Sequence, residues 1–104
     1  MIKVRNNPAE SRYEVLVDGG VVGFADYRVD GNVLTAPHTE VDPEHGGKGL
    51  AGKLITQLLD DAKEAGQQVL PVCPFVSVYI KKNPQYRELV PEQSWARFQL
   101  TDEN

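Results

Sequence analysis

A chain of 104 residues, 40% hydrophobic and 25% charged, has material for one modest core, so a single domain is expected over 1–104, with about 92–104 as a C-terminal extension. Its formal charge of −4 excludes a nucleic-acid binder that works by neutralising phosphates over a broad face, although backbone amides can still seat a phosphate locally. One cysteine, no signal-peptide pattern and no apolar run of bilayer length set the expectation of a cytoplasmic protein with neither disulfide nor membrane contact.

Tyr13 to Gly19 (YEVLVDG) alternates apolar and polar residues and predicts a strand with Tyr13, Val15 and Val17 on one face. A Gly19-Gly20 turn leads into a second extended run, Val21 to Gly31. The turn signal Asp30-Gly31-Asn32 precedes a third, Val33 to Val41, so three antiparallel strands are expected in succession. From Leu50 the spacing becomes helical: Leu50, Ala51, Leu54, Ile55, Leu58, Leu59 and Ala62 form one stripe, and Gly66 is placed to end it. Gln67 to Cys73 predicts a short buried strand, parallel to its partner because a helix separates the two. Pro74 then opens a second helix, PFVSVYIKK, with Cys73 at its cap and an end before Pro84. Trp95, Phe98 and Leu100 predict a docked end or a short strand. The class is α/β: a mostly antiparallel sheet with one parallel strand–helix–strand pair and two main helices.

The segment EHGGKGLAGKLI, Glu44 to Ile55, joins the third strand to the first helix. Its Gly47 to Lys53 fits half of a triphosphate loop, but that loop needs a Ser or Thr next for magnesium, and Leu54 cannot ligate one. The wider window HTEVDPEHGGKGLAGKL, His38 to Leu54, resembles the acetyl-coenzyme A signature of the GNAT superfamily of N-acetyltransferases, whose loop reads Q/R-x-x-G-x-G/A. Here the loop is Gly46-Gly47-Lys48-Gly49-Leu50-Ala51, with Gly46 where the family carries Gln or Arg. The first amides of a helix lack internal acceptors and carry partial positive charge, and glycines let the backbone close on a diphosphate. LPVCPFVSVYIKKNPQY, Leu70 to Tyr86, together with PHTEV, Pro37 to Val41, resembles a small single-domain branch of the same superfamily. In that branch a Cys-Pro ends the strand after the glycine-loop helix, and a tyrosine-bearing helix and an Asn-Pro follow.

The resemblance implies transfer of an acetyl group from acetyl-coenzyme A, as cosubstrate, to a primary amine on a small molecule or a protein lysine. It also implies that backbone groups around Val41 meet the pantetheine arm and the acetyl carbonyl. Such a transfer must deprotonate the amine, polarise the thioester and protonate the leaving thiolate. Glu40 is the candidate base, directly or through water, with His38 on the same strand face; the alternative is a solvated face. A carboxylate needs a partly dry site for that task. Cys73 is either a small core residue or a thiol lining the thioester pocket; direct transfer is expected rather than an acetyl-cysteine. Tyr79 matches the superfamily tyrosine that protonates the thiolate, the alternative being a helix aromatic packed in the core. Tyr86 and Trp95 are expected to pack, His45 to be a loop residue, and two histidines with one cysteine give no metal-binding spacing. The competing function is a non-catalytic coenzyme A-binding module, which the glycine at position 46 and the shortened fold both suit; a pure protein-interaction domain would hold no ligand.

Overall fold

The structure is a computed structural model and describes residues 1–46 and 49–101. Five strands form one sheet in chain order: β1 (Ile2–Asn7), β2 (Arg12–Val17), β3 (Gly20–Asp30), β4 (Val33–Val41) and β5 (Gln68–Leu70). The first four are antiparallel, and β4 pairs β5 in parallel. Helices α1 (Leu50–Glu64) and α2 (Pro74–Lys82) carry the rest of the core. The class read from the sequence stands, with one strand added. β1 pairs from Ile2 opposite Val17 to Asn7 opposite Arg12. Its segment IKVRNN buries too little apolar surface to announce itself, and its pairing with β2 is what makes it a strand.

One expectation needs correcting, and one alternative left open is decided. β5 stops at Leu70, short of Cys73, because Pro71 has no amide to donate and the Val72 amide turns back to Leu70 O at 3.0 Å. The chain end is docked but is not a strand: Trp95 Nε1 donates to Val90 O (2.9 Å), Arg87 Nη1 to Leu100 O (3.0 Å), and Leu100 is buried.

α1 turns its stripe of Leu50, Leu54, Ile55, Leu58, Leu59 and Ala62 inward, each large side chain contributing about 1.5–3 kcal/mol by leaving water. Its end is sharply set. Gly66 sits at φ 72° and donates to Lys63 O, while Gln67 donates to Ala62 O, so two carbonyls that the helix would otherwise leave open are satisfied. Two acidic side chains tie α1 to its surroundings: Tyr13 of β2 donates to Asp61 and Tyr86 to Asp60, both at 2.7 Å. The bond to Asp60, together with burial, pushes the Tyr86 phenol up to about 12.

On the outer face of the sheet Glu14 is 2% exposed, accepting from Arg5 (2.8 Å), Arg12 (2.9 Å) and Asn7 (3.2 Å). Burial alone would raise its pKa, but these bonds outweigh burial and hold it below the usual carboxylate range. Among the described residues no helix is long and apolar enough to cross a membrane.

A slip of register in β4 places the site. Asp26 faces His38 and Arg28 faces Thr35, so β3 advances past one residue, Tyr27, where β4 advances past two, Ala36 and Pro37. The extra residue reverses the alternation. Leu34 and Ala36 are buried before the bulge; after it Thr39 is buried and Val41 packs on the core, leaving His38 and Glu40 exposed.

Candidate functional site

β4 and β5 pair over three residues only, from Val33 opposite Gln68 to Thr35 opposite Leu70. The Cys73 amide adds one more bond to Ala36 O at 2.8 Å. Beyond it the strands part, as β4 runs on to Val41 and the chain after β5 turns into α2. On its other side the Asp42 amide donates to Val22 O at 2.7 Å. In an antiparallel ladder the backbone groups alternate in direction, so those of Thr39 and Val41 point away from β3 into the gap.

A cavity of about 440 Å³ occupies this gap, walled by Thr39, Glu40 and Val41 on one side, Gly49, Leu50 and Ala51 on the other, and Phe75. The first bond within α1 runs from the Lys53 amide to Gly49 O, so the amides of Leu50, Ala51 and Gly52 have no acceptor inside the helix. Gly49 reaches its position with φ 72°, a left-handed conformation, and as the cap it brings no side chain to compete for those amides. Thr39 is 5% exposed, and its hydroxyl oxygen is buried with no hydrogen-bond partner, as is His45 Nδ1. Both residues line this one cavity. Unpaired buried polar atoms cost a folded chain free energy; these two are shut off within the packed wall and are not turned toward the cavity.

A second cavity, about 460 Å³, shares Ala51 and Phe75 with the first and continues between α1 and α2 along Ile55, Val78, Tyr79 and Lys82. Phe75 and Val78 stand 58% and 48% exposed beside it, an apolar surface with a cation at its rim. Tyr79 is fixed here: its hydroxyl forms a short hydrogen bond with Thr56 Oγ1, its carbonyl accepts from Asn83 Nδ2, and its ring passes close to Gly52.

The residues singled out from the sequence are only partly brought together. Glu40, Val41, Gly46, Gly49, Leu50 and Ala51 line the first cavity, and Tyr79 lines the second. His38 Nε2 lies 3.1 Å from Glu40 Oε1, with the two side chains 54% and 65% exposed, so any drying of Glu40 must come from bound substrates. Gly46 is in place, but its amide already donates to Pro43 O at 3.1 Å and is not available to a phosphate. Gly47 and Lys48 lie outside the described residues. Cys73 caps α2, yet it is 3% exposed and joins the hydrophobic core, walling neither cavity. Reactive thiols need partial exposure in an electropositive setting, and this one packs.

Sequence reasoning passed over Thr39 and Phe75. Thr39 looks like a strand residue of neutral polarity until the bulge turns it inward. The signal was Pro37, since proline inside a strand marks an edge or a bulge.

A family model described as GCN5-related N-acetyl-transferase matches residues 12–89, most of the chain. The chain belongs to that family. Among its relatives, the L-amino acid N-acyltransferase of Escherichia coli is 42% identical over 66 residues, which cover 56% of this chain and 38% of that protein. The chain thus spans well under half of the relative's length. Among solved structures, a GCN5-like protein from Staphylococcus aureus superposes with a TM-score of 0.67 at 23% identity, covering 86% of this chain and 87% of the other. N-acetylglutamate synthase from Neisseria gonorrhoeae, solved with coenzyme A and N-acetyl-glutamate, superposes at 0.52 with 15% identity, over 90% of this chain and 24% of that one. At those identities the two structures speak for the fold. The family's mixed sheet, parted between its fourth and fifth strands here, is the frame in which the two cavities lie.

Proposed function

We propose that the chain is an N-acetyltransferase that takes acetyl-coenzyme A into the groove formed by the two joined cavities and passes the acetyl group directly to a primary amine. The observation that carries this is the parting of β4 from β5 beside the first turn of α1, with one cavity between them. The Leu50, Ala51 and Gly52 amides would hold the diphosphate, several weak charge–dipole contacts adding up where one would not suffice. Gly49 allows the close approach. The backbone of Thr39 and Val41 would take the pantetheine arm as an added strand edge. The apolar groove with Phe75, Val78 and Tyr79 continues from the first cavity and would take a further part of the cosubstrate.

At the far end of the arm the amine nitrogen bonds to the acyl carbon, the carbon–sulfur bond breaks, and the thiolate takes up a proton. Glu40, with His38 beside it, is the group placed to accept the amine's proton. Tyr79 is the candidate donor to the thiolate, its phenol already held by Thr56. Cys73 has no step to perform, and its role is packing.

A second reading is favoured by one observation: Glu40 is largely exposed. A chain that binds coenzyme A without catalysis needs no desolvated base. Calorimetry with acetyl-coenzyme A, followed by thiol release with a panel of primary amines, separates the two. Saturable heat with amine-dependent thiol release is expected, and Cys73→Ala should keep most of that rate. Saturable heat with no release for any amine leaves the binding module, and no saturable heat removes both.

A further inference from the structure

Across β4 from the acyl groove, on the outer face of the sheet, a cavity of about 470 Å³ lies between the start of β3 and the end of β4. Its polar residues are Arg12, Glu40 and Asp42, and the Phe24 ring lies among them. Val21, Val22 and Pro43 give it an apolar wall. Glu40 is a wall residue of both this cavity and the first one.

The cavity carries opposite charges at separate places. Arg12 and Arg5 share a single buried carboxylate, Glu14, so that cluster keeps one positive charge over. Arg12 spends Nε on Glu14, while its Cζ lies 4.9 Å over the Phe24 ring. Two contacts therefore hold the guanidinium in place and leave its terminal nitrogens as donors, an arrangement suited to a carboxylate. Glu40 and Asp42 provide the negative end. Among the described residues neither is paired with a lysine or arginine: Glu40 faces His38, and Asp42 accepts the Glu44 amide.

We infer that this cavity seats the acyl acceptor, and that the acceptor is a small zwitterion, an α-amino acid or a molecule with its amine and carboxylate as close together. Its carboxylate meets Arg12, its carbon skeleton crosses Phe24, and its amine is delivered to Glu40 at the boundary with the acyl groove. The inference rests on the acyl-transfer reading. In the transfer the amine's proton leaves through Glu40 and the acyl carbon changes partner from sulfur to nitrogen, with no oxidant or reductant required. A protein lysine would offer the amine without the carboxylate and leave Arg12 with nothing to bind.

The test compares, with acetyl-coenzyme A, free L-amino acids against their carboxamides and against alkylamines of matched side chain. The free acids should be preferred by about tenfold or more in kcat/KM, since a site that holds a charged group penalises its absence. Arg12→Gln should bring the ratio of acid to carboxamide close to one, with the loss in KM rather than kcat. Because the ratio is taken within one variant, partial loss of folding does not disturb it. Equal rates for acid and carboxamide in the natural chain, or a ratio kept by Arg12→Gln, would overturn the inference. Should no amine be acetylated, which removes the transfer reading, NMR titration with coenzyme A present still decides: shifts at Phe24 and Glu40 with amino acids but not carboxamides support it, and shifts with neither overturn it.

Discussion

Burying a hydroxyl without a partner costs about 1–3 kcal/mol, and Thr39 Oγ1 sits in that state. Valine has nearly the same shape without the oxygen. Thr39→Val is therefore expected to raise thermal stability by about 1 kcal/mol while leaving acetyl-coenzyme A binding by calorimetry unchanged, because the hydroxyl is shut off from the cavity. A drop in stability would mean that the hydroxyl serves the fold. Glu40 differs in kind, because it stands in solvent and its contribution depends on what covers it. Cys73 is a core atom that happens to precede a helix. Three residues within reach of one gap thus have three separate physical roles, set by burial and not by residue type.

At the scale of elements, the sheet's outer face depends on one ion cluster spanning β1 and β2, with Phe24 of β3 beside it. The pKa of Glu14 is lowered in the folded chain. Its stabilisation is therefore complete above the unfolded value, about 4.3, and is lost as pH falls through the folded value. Stability measured by urea unfolding should decline below about pH 4. Glu14→Gln should flatten that decline and cost about 1.5–3 kcal/mol at neutral pH, where charge-assisted bonds to both arginines are lost. An unchanged acid limb would assign the decline to other carboxylates. β4 shows how an element makes a site: one extra residue at Ala36-Pro37 turns a half-buried strand over, so that Thr39 and Val41 lie on the inner side beside the gap while His38 and Glu40 are exposed.

For the whole molecule, the segment after Val90 bears on how much of the chain the fold needs. Leu100 is buried, Trp95 is tied to Val90, and Arg87 stacks on Trp95 at 4.7 Å while holding Leu100 O. Ending the chain at Pro91 should cost at least the roughly 1.5–3 kcal/mol of burying one leucine, seen as a melting temperature lower by several degrees. An unaltered melt would make 92–104 an extension in energy as well as in sequence.

The strands β2 to β4, both helices and the glycine turn that begins α1 were legible from the chain alone, because period, proline and glycine act over a few residues and need no partner. The resemblance of His38 to Leu54 to the family's signature was legible for the same reason: a glycine loop opening a helix is a local backbone requirement written in consecutive residues. β1 needed β2 to exist, since its own six residues bury little. Only the tertiary structure decided that Thr39 lies on the inner side beside the gap, that the Gly46 amide is already engaged, that Cys73 packs, and that Arg12 and Glu40, far apart in the chain, border one hollow. Strand register and the parting of β4 from β5 are properties of pairs of segments, and no single segment encodes them.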